Sequence, residues 1–195
     1  MNIFLRVGLF CFFFWGMIAC NNNKPAESAT NKPVADTTQF YPIARFISDE
    51  MKYVDLRNFT ILEKRNKGTD SSSREISKDD FLSAAGEILQ QAQWFMANKY
   101  LFNESIFQDL GTESYTINYS SNNAPIKNID LLLNQQTNLP KRLFIRVIQQ
   151  SGDTTITEQY SWIANKQFVI SSSKRTQKGF NESNSKEISW KNQDQ

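Results

Sequence analysis

The sequence contains no histidine and few of the other residues on which catalytic sites most often depend. Without histidine, Ser-His-Asp and Cys-His nucleophile activation is excluded, and the commonest zinc ligand is missing. A metal site would need oxygen ligands alone, and no acidic loop has the spacing of a calcium site. The seven glycines form neither Gly-x-Gly-x-x-Gly nor a Walker loop. We therefore expect no enzymatic activity, no metal and no cofactor.

An excess of charge of one sign is also lacking. The chain has 22 basic and 20 acidic residues, for a formal net charge of +2. Nucleic-acid binding needs a concentrated basic surface, so no nucleic-acid partner is expected. Small basic clusters occur at 141–146 and 174–178. We expect them on solvated strand faces and turns; the alternative is contact with anionic lipid headgroups or a glycan.

One apolar run is present, and it ends at a cysteine. Arg6 precedes about 13 uncharged residues, Val7 to Ala19, the length of a signal-peptide core. A spanning helix needs about 20 apolar residues, and three asparagines follow Cys20 at once. The run therefore predicts a cleaved export signal; a buried helix and a retained membrane helix are the alternatives.

The end of this run, Met17-Ile18-Ala19-Cys20, resembles the lipobox of bacterial lipoproteins, with Met17 in place of the usual leucine. The resemblance implies cleavage between Ala19 and Cys20, a diacylglyceryl group on the Cys20 sulfur and a third acyl chain on its new amino group. Two or three chains hold a protein on a membrane far better than one. A secretory signal with a stray cysteine is the alternative. Asn21 gives no inner-membrane retention signal, so the resemblance favours the outer membrane, facing the periplasm.

Cysteine usage and composition then divide the chain. Cys11 leaves with the predicted signal peptide, residues 1–19, so Cys20 cannot form a disulfide within the mature chain and stability must come from a core. Residues 20–39 contain no aromatic residue and predict a disordered polar tether. Residues 40–192 predict one globular domain.

The period of the apolar residues changes along this domain. Pro42 suits a helix start, and Ile43, Ile47 and Val54 share the spacing of a helix face. A strand is expected over 59–64 and a shorter one over 74–76, before a second helix that Ser77 caps. Beyond about residue 98 the period is 2, in alternating segments that begin at Tyr115 and include those around Ile145 and Trp162. Turn residues separate these segments, among them Gly152 and Gly179. The fold class predicted is α+β, two N-terminal helices packed on one face of a curved antiparallel meander sheet.

Six aromatic residues fall on one face of the predicted strands: Tyr115, Tyr119, Tyr160, Trp162, Phe168 and Trp190. They predict the sheet's half of the core; the alternative is an apolar pocket for a hydrophobic ligand.

Three hypotheses about function follow. The first is a lipid-anchored, non-enzymatic envelope protein that binds a partner protein, a glycan or peptidoglycan. The second is a periplasmic carrier or sensor of a small hydrophobic ligand. The third is a hydrolase acting through the carboxylates Asp79, Asp80, Glu104 and Asp109.

Overall fold

The structure is a computed structural model that describes residues 40–192. The expected signal peptide, its cleavage site, Cys20 and the tether lie outside the described residues.

Two helices form where the sequence has apolar residues at helical spacing. Helix α1, Ile43–Asp55, follows Pro42 and buries Ile43, Ile47 and Val54. Helix α2, Lys78–Ala97, begins at a capping box, in which the Ser77 hydroxyl accepts from the Asp80 amide at 3.1 Å and the Asp80 carboxylate accepts from the Ser77 amide. This pairing satisfies two backbone donors that a helix start leaves without partners.

Nine strands form one open antiparallel sheet. Their bounds are β1 Phe59–Lys67, β2 Asp70–Glu75, β3 Asn103–Asp109, β4 Ser114–Ser120, β5 Ile126–Asn134, β6 Pro140–Ser151, β7 Thr154–Ile163, β8 Gln167–Thr176 and β9 Asn181–Asn192. The order across the sheet is β2-β1-β9-β8-β7-β6-β5-β4-β3. Strands β3 to β9 are a meander, and the β1–β2 hairpin adds beyond β9. Strands β2 and β3 are therefore the two edges, although only α2 and a short turn separate them in sequence.

Both helices pack on the same face of the sheet. Phe81 of α2 lies 5.8 Å from Phe168, ring centre to ring centre, and Trp162 stacks on Phe168 at 4.9 Å. Glu50 of α1 accepts a hydrogen bond from Nε1 of the same Trp162. The apolar side chains between helices and sheet form one core. Within residues 40–192 the other face is covered by neither helix, and its central strands present mostly hydroxyl, amide and charged side chains.

The predicted α+β class and the antiparallel sheet are confirmed, but the helices do not both precede the sheet. The β1–β2 hairpin lies between α1 and α2 in sequence. Strand β3 was not expected, because it buries almost none of its side chains. The polar segment 182–187 was not expected as sheet either, yet it belongs to β9, which pairs with both β1 and β8.

Candidate functional site

The two edges of the sheet differ in chemistry. Strand β2 is six residues long, fully exposed and wholly polar, with the sequence DSSSRE. Short, charged edge strands resist pairing with other chains. Arg74 of β2 also donates from Nε to Oε1 of Glu63 on β1, at 2.9 Å. The β2 edge is therefore protected against pairing by its own side chains.

Strand β3 forms the opposite edge and is exposed and apolar at its centre. Ile106 is 59% exposed on the face that the helices cover elsewhere, and Phe107 is 63% exposed on the other face. Nine large apolar side chains of residues 40–192 are exposed, and five lie within 100–110: Tyr100, Leu101, Ile106, Phe107 and Leu110. We call 100–110 the β3 edge. Exposed apolar patches mark interaction sites more often than isolated apolar residues do.

The backbone of β3 is available as well. Among the described strands, β3 pairs only with β4. An edge strand leaves the amides and carbonyls of alternate residues without sheet partners, which makes it a template for another strand.

Both ends of β3 are held in place by the rest of the fold. Just before the strand, buried Phe102 packs edge-on against Phe95 of α2, with ring centres 4.9 Å apart. After it, Asp109 accepts hydrogen bonds from the Thr112 hydroxyl at 2.7 Å and the Gly111 amide at 2.9 Å. These bonds hold the pKa of the Asp109 carboxyl below its usual value. The β3 edge is thus already in a strand conformation before any partner arrives.

Next to this edge, Tyr119 of β4 holds Phe40 and Tyr41, the first two described residues, in place. Glu104 of β3 lies opposite Tyr119 of β4, which is fully buried. The Tyr119 hydroxyl accepts a hydrogen bond from the Tyr41 amide at 3.0 Å, and Phe40 stacks on the Tyr119 ring. Burial, and to a smaller extent the nearby Glu104 charge, raises the pKa of Tyr119. The phenol therefore stays neutral and can anchor the backbone at residue 41.

The β3 edge also carries charge of one sign. Glu104, Asp109 and Glu113 lie in or just after β3, and no lysine or arginine occurs between Lys99 and Lys127. Residues 100–126, which include these exposed apolar side chains, therefore carry only negative charge.

The predicted aromatic residues are placed in the core. Tyr119, Tyr160, Trp162, Phe168 and Trp190 are each at most 4% exposed, and Tyr115 is half-buried. The rings of Trp162, Phe168 and Trp190 contact one another and Phe81 of α2, and Tyr119 contacts Phe95 of α2; Trp162 and Trp190, for example, are 5.8 Å apart between ring centres. Cavities of 220–400 Å³ occur elsewhere on the described body, and none of these six residues lines them. The arrangement is that of side chains filling a core.

The four carboxylates of the hydrolase hypothesis lie in different parts of the fold. Asp79 and Asp80 are exposed at the start of α2, where Asp80 belongs to the capping box. Glu104 is half-buried beside Tyr119, and Asp109 holds the β3–β4 turn. Among residues 40–192, no three acidic side chains lie together as a group that could hold a metal ion.

Two acids that the sequence did not single out are buried. Glu50 accepts from Trp162 Nε1 at 3.1 Å and from the Asn165 amide at 2.7 Å, which ties α1 to the β7–β8 turn. Glu63 accepts from Arg65 and Arg74, and these bonds, that from Arg65 foremost, hold the pKa of its carboxyl below the usual value. Both buried acids are thus paired with hydrogen-bond donors of the fold.

The sequence matches no protein-family model, and no curated protein or solved structure is significantly similar to it. Across residues 40–192, neither helix has the length and apolar composition that crossing a bilayer requires.

Proposed function

We propose that this chain is a non-enzymatic, lipid-anchored protein of the bacterial cell envelope whose folded body binds a partner protein at the β3 edge. The observation that carries the binding role is the concentration of exposed apolar side chains along the β3 edge, whose strand is pre-formed and has a described partner, β4, on one side only. The acidic and polar setting of these side chains keeps the free body soluble until it meets its partner.

The anchor is supported by the resemblance of Met17-Ile18-Ala19-Cys20 to a lipobox, which favours the outer membrane facing the periplasm. The polar composition of residues 20–39 suits a tether that holds the body away from the bilayer. As a coil, about 20 residues span about 25 Å, so a partner in the periplasmic space would be within reach.

The proposed fold includes a curved sheet. Register shifts between Ile126 and Asn128 and between Leu132 and Leu133, in the pairing of β5 with β6, support this curvature. Such bulges bend the strand that carries them and increase its twist. Curvature toward the helices would leave the β3 edge at the rim of the body, where a partner can approach it.

The carrier hypothesis is less well supported. It requires space beside the aromatic face, and Trp162, Phe168 and Trp190 pack instead against one another and against Phe81 of α2. We therefore place the interaction with a partner protein first.

Photo-crosslinking in intact cells tests this function. A photoreactive amino acid replaces Phe107, in the centre of the β3 edge, in the full-length chain. The matched control replaces Ser72, an exposed residue at the centre of the opposite edge strand. We expect a discrete crosslinked species from position 107 and none from position 72. Equal crosslinking from the two positions, or none from position 107, would remove the basis of the proposal.

A further inference from the structure

Resting on the proposed function, we infer that β3 binds its partner by strand addition, and that the added segment is an extended peptide with apolar residues at its centre and basic residues toward its ends. The geometry of the strand, the distribution of its apolar side chains and its charge each specify one property of that segment.

The first property is extended conformation. Strand β3 has seven residues, which span about 23 Å at the rise of an antiparallel strand. Alternate residues direct both backbone groups away from β4, so an added antiparallel strand can form about six to eight main-chain hydrogen bonds. Such bonds supply affinity in strand addition, and the flanking side chains supply specificity.

The second property is an apolar centre on both faces of the added strand. Ile106 lies on the helix side of the sheet, opposite Ile117 of β4, and Phe107 lies on the other side, opposite Thr116. Residues directly opposite across a strand pair have Cβ atoms about 4.5–5.5 Å apart and contact each other. Two adjacent apolar residues in the partner would therefore cover Ile106 and Phe107 together.

The third property is positive charge. Glu104 and Asp109 lie two residues to either side of the apolar pair, and Glu113 follows in the turn, without any basic residue in 100–126. A partner in antiparallel register would place side chains opposite both acids. Basic side chains there form ion pairs, whereas acidic ones repel.

The same charge argues against a second copy as the occupant. Two β3 edges paired with each other would bring four carboxylates together, Glu104 and Asp109 of each copy, with no basic residue from either edge. The occupant is therefore a segment of another protein, and self-association becomes an outcome that the test must detect.

The experiment measures binding of two synthetic peptides to the full-length chain in detergent micelles at low salt. The peptide KTVVTKT, with blocked ends, places valines opposite Phe107 and Ile106 and lysines opposite Asp109 and Glu104. Its control, ETVVTET, differs only in the sign of the two charges. We expect KTVVTKT to bind about tenfold more tightly, because each lysine replaces a repulsive contact with an attractive one.

Hydrogen exchange locates the bound peptide. We expect KTVVTKT to slow amide exchange within Asn103–Asp109 and to leave Asp70–Glu75, the opposite edge, unchanged. The variant Glu104→Lys should lower the affinity for KTVVTKT and raise that for ETVVTET. The matched variant Glu75→Lys, on β2, should change neither. A version of KTVVTKT that is N-methylated at alternate residues should not bind, because it lacks the amides that pair with β3.

Several results would overturn the inference. These are equal affinity for the two peptides, protection away from β3, unchanged binding to Glu104→Lys, or a stable dimer of the free chain that protects Asn103–Asp109. If neither peptide binds but position 107 still crosslinks a partner in cells, strand addition by a basic segment is wrong, and the proposal that the β3 edge binds a partner protein is retained. If crosslinking fails as well, both are wrong.

Discussion

Two tryptophans of the core offer a matched pair for testing how the buried polar groups stabilise this fold. Trp162 is fully buried and Trp190 is 4% exposed, and their ring centres are 5.8 Å apart. Trp162 Nε1 donates to Oε2 of Glu50, whereas Trp190 Nε1 is buried without a hydrogen-bond partner among residues 40–192. Replacing each with phenylalanine removes the same atoms from the same core.

The two substitutions should therefore differ mainly in their polar consequences. Trp162→Phe removes a hydrogen bond to a charged group, which contributes about 1.5–3 kcal/mol, and leaves Glu50 Oε2 with only the Asn165 amide. Trp190→Phe removes an unpaired buried donor, whose burial costs about 1–3 kcal/mol. The cavity and transfer contributions are similar at the two sites and largely cancel. We expect Trp190→Phe to be more stable than Trp162→Phe by about 3 kcal/mol or more.

Urea unfolding, followed by circular dichroism, gives the free energy of unfolding of each variant. For a chain of this size, such a difference corresponds to about 6–12 °C in Tm. The double variant Trp162→Phe, Glu50→Gln is a control, because it should lose less than the sum of the two single losses. Equal stabilities for the two tryptophan variants, or a more stable Trp162→Phe, would refute this account of the core.

Three further predictions concern other parts of the chain. The Glu63 carboxylate, whose folded pKa is depressed, should stabilise the fold fully above its unfolded pKa of about 4.3 and lose this effect as pH falls through the folded value. The wild type should therefore have a higher free energy of unfolding than Glu63→Gln at neutral pH, and this difference should shrink below about pH 4.3. A difference that grows as the pH falls would contradict the pairing with Arg65. Ser77→Ala should cost about 1 kcal/mol in urea unfolding through loss of the α2 cap, while Ser73→Ala, on the exposed β2 edge, should cost close to nothing. Cys20→Ser should leave an unprocessed, unacylated precursor by mass spectrometry, and processing at the same bond would count against the lipobox.

Local signals allowed part of the fold to be predicted. The Ser77 cap acts on amides within its own turn, so it could be recognised without the rest of the chain. The turns at Gly152 and Gly179 are similar, since positive φ angles of 60° and 88° favour glycine there. The alternating segments around Ile145 and Trp162 were recognised because these strands bury one face and expose the other.

The candidate site could not be predicted in the same way. Strand β3 has no alternation, because it lies at an edge and exposes Ile106 and Phe107 on opposite faces. What could have indicated it is the adjacent pair of large apolar residues, Ile106 and Phe107, between polar neighbours. The role of Glu50 was also hidden, since its donor Trp162 is 112 residues distant in sequence.

The position of β9 has a consequence for how the molecule folds. This strand is the last one described, yet it lies between β1 and β8 and pairs Phe59 with Asn192. A chain still being synthesised has nothing to which its β1–β2 hairpin can attach until residues 181–192 have emerged. The chain between β1 and β9 forms a long loop, and closing it costs conformational entropy before the strand pairing can offset that cost. Topologies rich in distant pairings therefore fold slowly. The nascent sheet should therefore remain unfinished until residues 181–192 are available to pair with both β1 and β8.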